Sequence, residues 1–177
     1  YTDENNINET YDLSGKLTGI EYPNGVIEKL SYSSVVISDR TVDLLQKVEN
    51  NFGKFIELSY YPNSKLIQSI ESETTQRWEY VYDDNQSLIR VINPDLTEKN
   101  YHYEYHGMNY LLTGITDERG VRFSTFNYYD DGLAMSSYLG SPSTPIDKRN
   151  NAVNVAYYSD HNTVVDSRGN TFIYNIL

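Results

Sequence analysis

The most constraining feature of this chain is a pattern that recurs along it. An aliphatic residue is followed by a second one three positions later, then by a turn residue five positions on and a tyrosine seven positions after that. Four copies fit the pattern, at Leu17, Ile20, Gly25 and Tyr32; at Leu45, Val48, Gly53 and Tyr60; at Ile67, Ile70, Thr75 and Tyr82; and at Leu88, Val91, Leu96 and Tyr103. A fifth copy, Leu112, Ile115 and Gly120, has its tyrosine one residue late, at Tyr128, and a degenerate sixth consists of Val164, Gly169, Phe172 and Tyr174. Repeats of about 20 to 50 residues indicate an array in which no unit buries its apolar face alone.

Each unit divides at its turn into two predicted strands. The third, fifth and seventh residues after the turn alternate with polar residues, which is the period of a strand with one better-buried face. These positions are Ile56, Leu58 and Tyr60; Trp78, Tyr80 and Tyr82; and Lys99, Tyr101 and Tyr103. The fifth unit breaks phase between Phe123 and Phe126, which predicts a β-bulge near Ser124 and Thr125.

The strand before each turn is less regular, because an ideal strand places residues three apart on opposite faces. A helix would explain that spacing, but about six residues between breakers are too few to form one in water. We therefore expect short strands whose two faces are both partly covered.

Short connections predict antiparallel hairpins. Within units, turns are expected at residues 23–25, 51–53, 72–75, 94–96 and 118–120. Tyr11-Asp12-Leu13-Ser14-Gly15 and Tyr129-Asp130-Asp131-Gly132 are typical of the connections between units. The predicted fold is all-β: tandem antiparallel hairpins in a twisted, curved meander of about twelve strands.

The array is expected over residues 11–177, after a polar N-terminal arm at residues 1–10. Its units cover about 11–33, 44–61, 65–83, 87–105, 111–130 and 133–177. Residues 33–43 are interpreted as an insertion that lengthens the first step. Residues 141–151 contain two prolines and are predicted to form a surface loop.

Composition narrows the classes of partner. A net charge of −11 argues against nucleic acid or an anionic membrane, since phosphate binding needs clustered Lys and Arg. Without cysteine, disulfides and thiolate metal sites are excluded. No apolar run approaches the roughly 18 residues of a membrane span. The 18 tyrosines favour half-buried β surfaces, where the ring packs and the hydroxyl stays wet.

The turn and strand motifs together resemble those of the YD-repeat, or Rhs, family. The resemblance rests on residues 11–20, which read Tyr-Asp-Leu-Ser-Gly-Lys-Leu-Thr-Gly-Ile, on residues 129–132, and most strongly on residues 112–123. A single Tyr-Asp pair is a weak signal, whereas ordered copies with the same internal spacing are a strong one. The resemblance covers the chain from about Tyr11 to its end. About six units would form only an arc of a closed wall.

The resemblance implies a hairpin array that coils into a hollow β-shell. In this family such shells enclose a toxic C-terminal domain of a polymorphic toxin, and secretion systems such as type VI secretion, or insecticidal toxin complexes, deploy them. It therefore implies a non-catalytic segment, secreted or cell-surface, whose partner is the remainder of its parent polypeptide. The family's C-terminal core segment with its Asp-Pro-x-Gly signature is missing from this sequence, so we expect a piece of a longer array.

A binding module is the alternative, because exposed aromatic residues beside carboxylates could stack on a glycan. Buried tyrosines would favour a shell, whereas several solvent-exposed and coplanar rings would favour a carbohydrate-binding platform. An enzyme such as a glycosidase is the third hypothesis and would need two carboxylates about 5–9.5 Å apart in one cleft. No nucleophile–base motif points to catalysis, and no cofactor is expected.

Two further side-chain groups suggest metal chemistry at first sight. His102 and His106 are four residues apart near Glu104, but that spacing on one strand face spans roughly 13 Å, which is too far for one ion. Asp83-Asp84 and Asp130-Asp131 lie in predicted inter-unit turns, where Asp normally caps its own backbone. We expect no metal site.

Trp78 is expected to anchor one face together with Tyr80 and Tyr82. Residues 171–177 have high β-propensity and no charge or proline, so we expect edge-to-edge self-association there.

Overall fold

The protein folds as antiparallel hairpins in chain order. The structure, a computed structural model, describes residues 1–143 and 150–176 and has no helix among them. Fifteen strands are described, each antiparallel to the strands before and after it in chain order within its unit. The chain divides into two compact units, Tyr1–Tyr80 and Val81–Leu177. The all-β meander predicted from the sequence is confirmed.

The first unit contains six strands and most of a seventh. They are β1 (Asn8–Tyr11), β2 (Leu17–Glu21), β3 (Ile27–Ile37), β4 (Arg40–Asn50), β5 (Phe55–Tyr60), β6 (Ile67–Ser72) and β7 (Arg77–Tyr82), which contains the unit boundary. The second unit contains β8 (Leu88–Ile92), β9 (Glu98–His102), β10 (Gly114–Thr116), β11 (Arg122–Tyr128), β12 (Ala134–Leu139), β13 (Asn150–Tyr157), β14 (His161–Val165) and β15 (Thr171–Asn175).

The described residues form three strands more than the twelve expected. β1 arises from the segment set apart as a polar arm and pairs with β2 across the turn at Asp12–Gly15. Asp3 accepts backbone hydrogen bonds from Asn5 and Ile7 and turns residues 1–2 back against β1. The segment 133–177 supplies four strands instead of two. The predicted loop at residues 141–151 lies partly outside the described residues, at 144–149, and Leu177 also lies outside them.

The expected insertion at residues 33–43 extends a hairpin. β3 and β4 each continue for 11 residues and stay paired from Glu28–Asn50 to Ile37–Arg40. Ser38 and Asp39 both have positive φ, at 48° and 62°, which is the backbone of a tight two-residue hairpin turn. The extra residues therefore lengthen two strands without interrupting the meander.

A bulge explains the spacing of the two aliphatic residues in the first three repeats. Leu58 lies opposite Ile70, but Tyr60 lies opposite Ile67, because Gln68 is left out of the register. Residues directly opposite share a face, so Ile67 and Ile70 lie on the same face as Tyr60. The expectation that both strand faces are partly covered is thus replaced by a simpler arrangement, in which one inserted residue brings both aliphatic side chains to one face.

The same bulge recurs opposite Tyr11 and Tyr32. The register shifts between Thr10 and Tyr11 and between Ser31 and Tyr32, and it places Tyr11 opposite Leu17 and Tyr32 opposite Leu45. The tyrosine that closes one repeat therefore meets the aliphatic residue that opens the next one.

The fifth unit has a second bulge, as its broken phase predicts. Ile115 pairs with Ser124 and Thr116 pairs with Arg122, so Phe123 is the extra residue. It lies one position before the predicted Ser124 and Thr125. This insertion accounts for the one-residue delay of Tyr128.

In the first unit one sheet face is apolar and the other is charged. Ile70 lies opposite both Leu58 and Trp78, whereas Glu71 lies opposite Glu57 and Arg77 on the other face. The described residues of this unit form no second layer, and Trp78 is half-buried while Ile56 is 40% exposed. Trp78 thus packs on the predicted face with Tyr80, but as a half-covered residue rather than as an enclosed core anchor.

Candidate functional site: tyrosine clasps and an aromatic cleft

The repeat tyrosines close their own units through a hydrogen bond, which we call the tyrosine clasp. The hydroxyl of the tyrosine donates to the backbone carbonyl of the aliphatic residue that opens the same repeat. Tyr32 donates to Leu17 at 2.8 Å, Tyr60 to Leu45 at 2.7 Å, Tyr103 to Leu88 at 3.1 Å, and Tyr128 to Leu112 at 2.7 Å. The clasp ties the second strand of a unit to the start of the first.

The clasp gives a physical reason for the constant spacing. A tyrosine hydroxyl has a fixed reach, so the donor and the acceptor must keep the same separation in every copy. Tyr128 is one residue late and still reaches Leu112, because the bulge at Phe123 absorbs the extra residue. Burial raises the pKa of the Tyr60 and Tyr128 hydroxyls above the ordinary value, as expected for neutral groups that lie against the sheet.

The turns share one backbone geometry. In the turn after Asn50, its N–H donates to the Lys54 carbonyl and Gly53 N–H donates to the Asn50 carbonyl. Gly53 has φ of 78°, which suits glycine. The same two bonds recur at the turns ending in Gly15, Gly25, Thr75, Gln86, Leu96, Gly120, Gly132 and Gly169, all with positive φ.

The side chain that opens a turn caps it. Asp12 Oδ1 accepts the N–H groups of Ser14 and Lys16, and Asn50 Oδ1 accepts those of Phe52 and Lys54. Asp83, Asp117 and Asp166 each accept two turn N–H groups in the same way. Of the aspartates predicted to cap their own turns, Asp83 does so, and Asp131 accepts Leu133 N–H in the same way.

The remaining predicted repeat positions lie on the strands. Tyr11 ends β1 and its hydroxyl donates to Glu9 instead of forming a clasp. Tyr80 offers its backbone carbonyl to the Tyr61 hydroxyl at 3.0 Å. Tyr101 lies opposite Ile115. The aliphatic positions Ile20, Val48 and Val91 lie within strands β2, β4 and β8.

The two candidate histidines have different surroundings. His102 Nε2 contacts Thr116 Oγ1 at 2.7 Å, and burial, with the Arg122 charge second, lowers the pKa of His102. His106 lies in the connection between β9 and β10. Over residues 1–143 and 150–176, no three His, Asp or Glu side chains converge on a metal position.

Glu104 is instead part of an ion pair that holds this connection. Arg122 Nη1 donates to both Glu104 oxygens, at 3.0 and 2.8 Å, and Nη2 donates to the Thr113 carbonyl at 2.7 Å. A Cβ at Gly114 would collide with the Arg122 guanidinium, so a larger residue there would displace this side chain. The loop from β9 to β10 is therefore held by the Arg122–Glu104 ion pair and by the close contact of the Arg122 guanidinium with the backbone at Thr113 and Gly114.

An aromatic cleft is the feature that sequence reasoning missed. Tyr129, Tyr157 and Tyr158 line an open cleft of about 480 Å³ together with Asp130 and Asp131. The sequence predicts Tyr129-Asp130-Asp131 as part of a turn. Tyr157 and Tyr158 join it only because β13 returns beside that turn, and no local sequence signal indicates this pairing.

Comparisons with known proteins support the fold. No protein-family model matches the sequence, and no curated protein does. Among solved structures, the crystal structure of TcdB2–TccC3 without its hypervariable C-terminal region is similar, with a TM-score of 0.53 and 16% identity over 91% of this chain and 10% of that chain. The resemblance to the YD-repeat family is confirmed at the level of the fold.

A second similar solved structure superposes less closely on this chain than the first one does. A Photorhabdus luminescens Tc holotoxin pore is similar over 90% of this chain and 14% of that chain, with 14% identity and a TM-score of 0.32. The present chain thus spans about a tenth of the length of the TcdB2–TccC3 chain. None of the described residues forms a helix long and apolar enough to span a membrane.

Proposed function

We propose that this chain is a non-catalytic structural segment of an Rhs-type shell. The shell encloses or presents a toxin or effector domain of the parent polypeptide, is secreted or displayed at the bacterial surface, and serves secretion-linked competition. The shared fold with a segment of TcdB2–TccC3 supports the wall role. The enclosed domain and the competition are inferences from the YD-repeat resemblance.

The observation that carries this proposal is the two-sided sheet of residues 1–80. One face presents Leu58, Ile70 and Trp78, and the opposite face presents Glu57 and Glu71. An apolar face left partly open in a single layer is favourable only when further chain covers it. Such a wall can shield an apolar cargo on one side while its charged side faces water.

Photocrosslinking in the parent polypeptide tests the proposal. A photoreactive amino acid at Ile56, on the apolar face, should crosslink to the enclosed domain. The matched control places it at Glu57, the next residue on β5 and on the opposite face. Crosslinks from position 57 alone, or from neither position, would contradict an enclosing wall.

The non-catalytic role has a separate test. Purified chain should show no glycoside hydrolysis above a buffer control with a panel of chromogenic glycosides. Turnover that persists through repurification, and that disappears when one carboxylate is replaced by its amide, would refute this part of the proposal.

A further inference from the structure

The aromatic cleft of the second unit has a shape that discriminates between ligands. Tyr129 and Tyr157 meet edge to face, with ring centroids 6.0 Å apart and planes at 80°. Sugars stack on flat aromatic surfaces, so rings at right angles form no extended platform. Two perpendicular rings instead form a corner, and a corner suits a compact cation that contacts more than one ring.

The cleft is preformed and reachable. The Tyr129 hydroxyl donates to the Val155 carbonyl at 2.8 Å, and Tyr158 stacks on His161 with centroids 4.6 Å apart and planes at 12°. These contacts fix ring positions before any ligand arrives. Tyr129, Tyr157 and Tyr158 still expose 36%, 38% and 53% of their surface.

The charge of the cleft is negative. Asp130 and Asp131 line it and are exposed, and the whole chain carries a net charge of −11. Asp130 Oδ1 accepts the Tyr105 hydroxyl at 3.1 Å, and Asp131 Oδ1 accepts Leu133 N–H at 3.0 Å. A carboxylate has about four acceptor positions, so each retains capacity for a donor from outside.

The same fold already pairs cations with rings elsewhere. Lys16 Nζ lies 5.0 Å from the Tyr32 ring centroid, and Lys47 Nζ lies 4.1 Å from that of Phe55. In both cases a carboxylate also pairs with the lysine: Asp43 with Lys16, and Glu49 with Lys47 at 3.3 Å. Ring plus carboxylate is therefore a combination that holds a cation on this sheet.

We propose that the cleft formed by Tyr129, Tyr157, Tyr158, Asp130 and Asp131 binds an arginine or lysine side chain of a basic peptide segment in a partner protein. The cation lies in the corner of the perpendicular rings, and its N–H groups donate to the two aspartates. The site is independent of the proposed wall role, since it uses the turn between β11 and β12 and the end of β13.

Titration of the whole chain with matched peptides tests this inference. The probe is acetyl-Gly-Arg-Gly-amide, and its control carries citrulline, which keeps the planar shape and removes the charge. Binding is followed through the ring resonances of ¹³C-labelled tyrosine. We expect shifts confined to the cleft tyrosines, and affinity about fivefold or more weaker for the citrulline peptide.

Two variants separate charge from shape. Asp130→Asn with Asp131→Asn keeps the acceptor oxygens that hold the turn and removes the charge, and Tyr157→Leu removes one wall of the corner. Each should weaken arginine-peptide binding about fivefold or more. Glu98→Gln, on β9, is the matched control and should leave binding unchanged.

Three results would overturn the inference. They are equal affinity for the arginine and citrulline peptides, shifts spread over tyrosines throughout the chain, and ring shifts with maltotriose but not with the arginine peptide. The last result would favour a glycan. Because the first comparison needs only the unmodified chain, poor folding of a variant does not prevent a decision.

Discussion

The clasped hairpin β4–β5 and the last hairpin β14–β15 follow the same turn rules but differ in burial. At the last turn, Asp166 caps Arg168 and Asn170, and Gly169 takes positive φ, as in the regular units. Counting from Gly169 puts Ile176 at the clasp position, so this hairpin lacks the tyrosine hydroxyl. β14 and β15 pair in register with no bulge, and every residue of β15 is exposed.

The two hairpins show that turn geometry depends on local residues, whereas strand burial depends on neighbouring strands. Turn geometry depends on a few neighbouring residues and survives in the degenerate unit. Burial of a strand instead requires neighbours on both sides, and the clasp requires a tyrosine at one position. Turn geometry is therefore set within each hairpin, whereas much of a hairpin's stability comes from its neighbours, as in other repeat proteins.

The largest expected effect concerns the buried core of the clasped region. Leu44 in β4 is only 8% exposed, so Leu44→Ala should destabilise the protein by about 3 kcal/mol. Ile173→Ala in β15, where the side chain is 63% exposed, should cost about 0.5 kcal/mol or less. Chemical denaturation of both variants measures the difference, and similar losses would remove the distinction between the two regions.

Removing one hydroxyl should have a smaller effect. Tyr60→Phe leaves the Leu45 carbonyl without its donor and should cost about 1 kcal/mol. Tyr174→Phe is the control in the last hairpin and should be close to neutral. The clasp idea fails if the two variants have the same denaturation midpoint.

The same variant predicts a change with pH. The folded-state pKa of Tyr60 is raised, so the neutral hydroxyl contributes stability that is fully present below the unfolded pKa of about 10. This contribution is lost as pH rises through the folded pKa. Stability of Tyr60→Phe should therefore fall less steeply above pH 10 than that of the unmodified chain, and an identical slope would argue against it.

A turn substitution should stabilise the chain slightly. Leu96 has φ of 65° and is 81% exposed, where glycine would adopt the same backbone without strain. Leu96→Gly should raise the unfolding free energy by about 0.5–1 kcal/mol, and Gly53→Ala should lower it by a similar amount. Thermal unfolding of the pair is the check, and a loss on Leu96→Gly would show that the side chain contributes more than the strain costs.

The exposed last strand should promote association rather than stability. β15 has β14 as its neighbour and offers Phe172, Ile173 and Tyr174 to solvent. Light scattering over a concentration series should show self-association, and Ile173→Lys should reduce it while leaving the unfolding free energy nearly unchanged. A particle that stays monomeric throughout the series would rule this association out.

Much of the fold follows from the sequence because its signals are local. Spacing predicts the turn at Thr75, and spacing together with Asn93-Pro94-Asp95 predicts the turn at Leu96, in both cases without a glycine at the turn residue. The bulge opposite Tyr60 is not predicted, because a register shift depends on the partner strand and leaves in the sequence only the three-residue spacing of Ile67 and Ile70.

The candidate site was harder to predict than the fold. The sequence predicts structural roles for the repeat tyrosines, but the acceptor of each clasp lies on a neighbouring strand, so the clasp is visible only in the structure. Tyr157 and Tyr158 fall in the degenerate part of the array, where no period connects them to Tyr129. Contacts of this kind depend on strand pairing, which single residues do not encode.

The most direct test of the clasp is observation of the tyrosine hydroxyl protons by nuclear magnetic resonance. The account predicts slowly exchanging hydroxyl resonances for Tyr32, Tyr60, Tyr103 and Tyr128, each with a contact to the residue named as its acceptor, and a rapidly exchanging hydroxyl for Tyr174. Each Tyr→Phe variant should remove one of the four signals. Rapid exchange at all four hydroxyls would contradict the account.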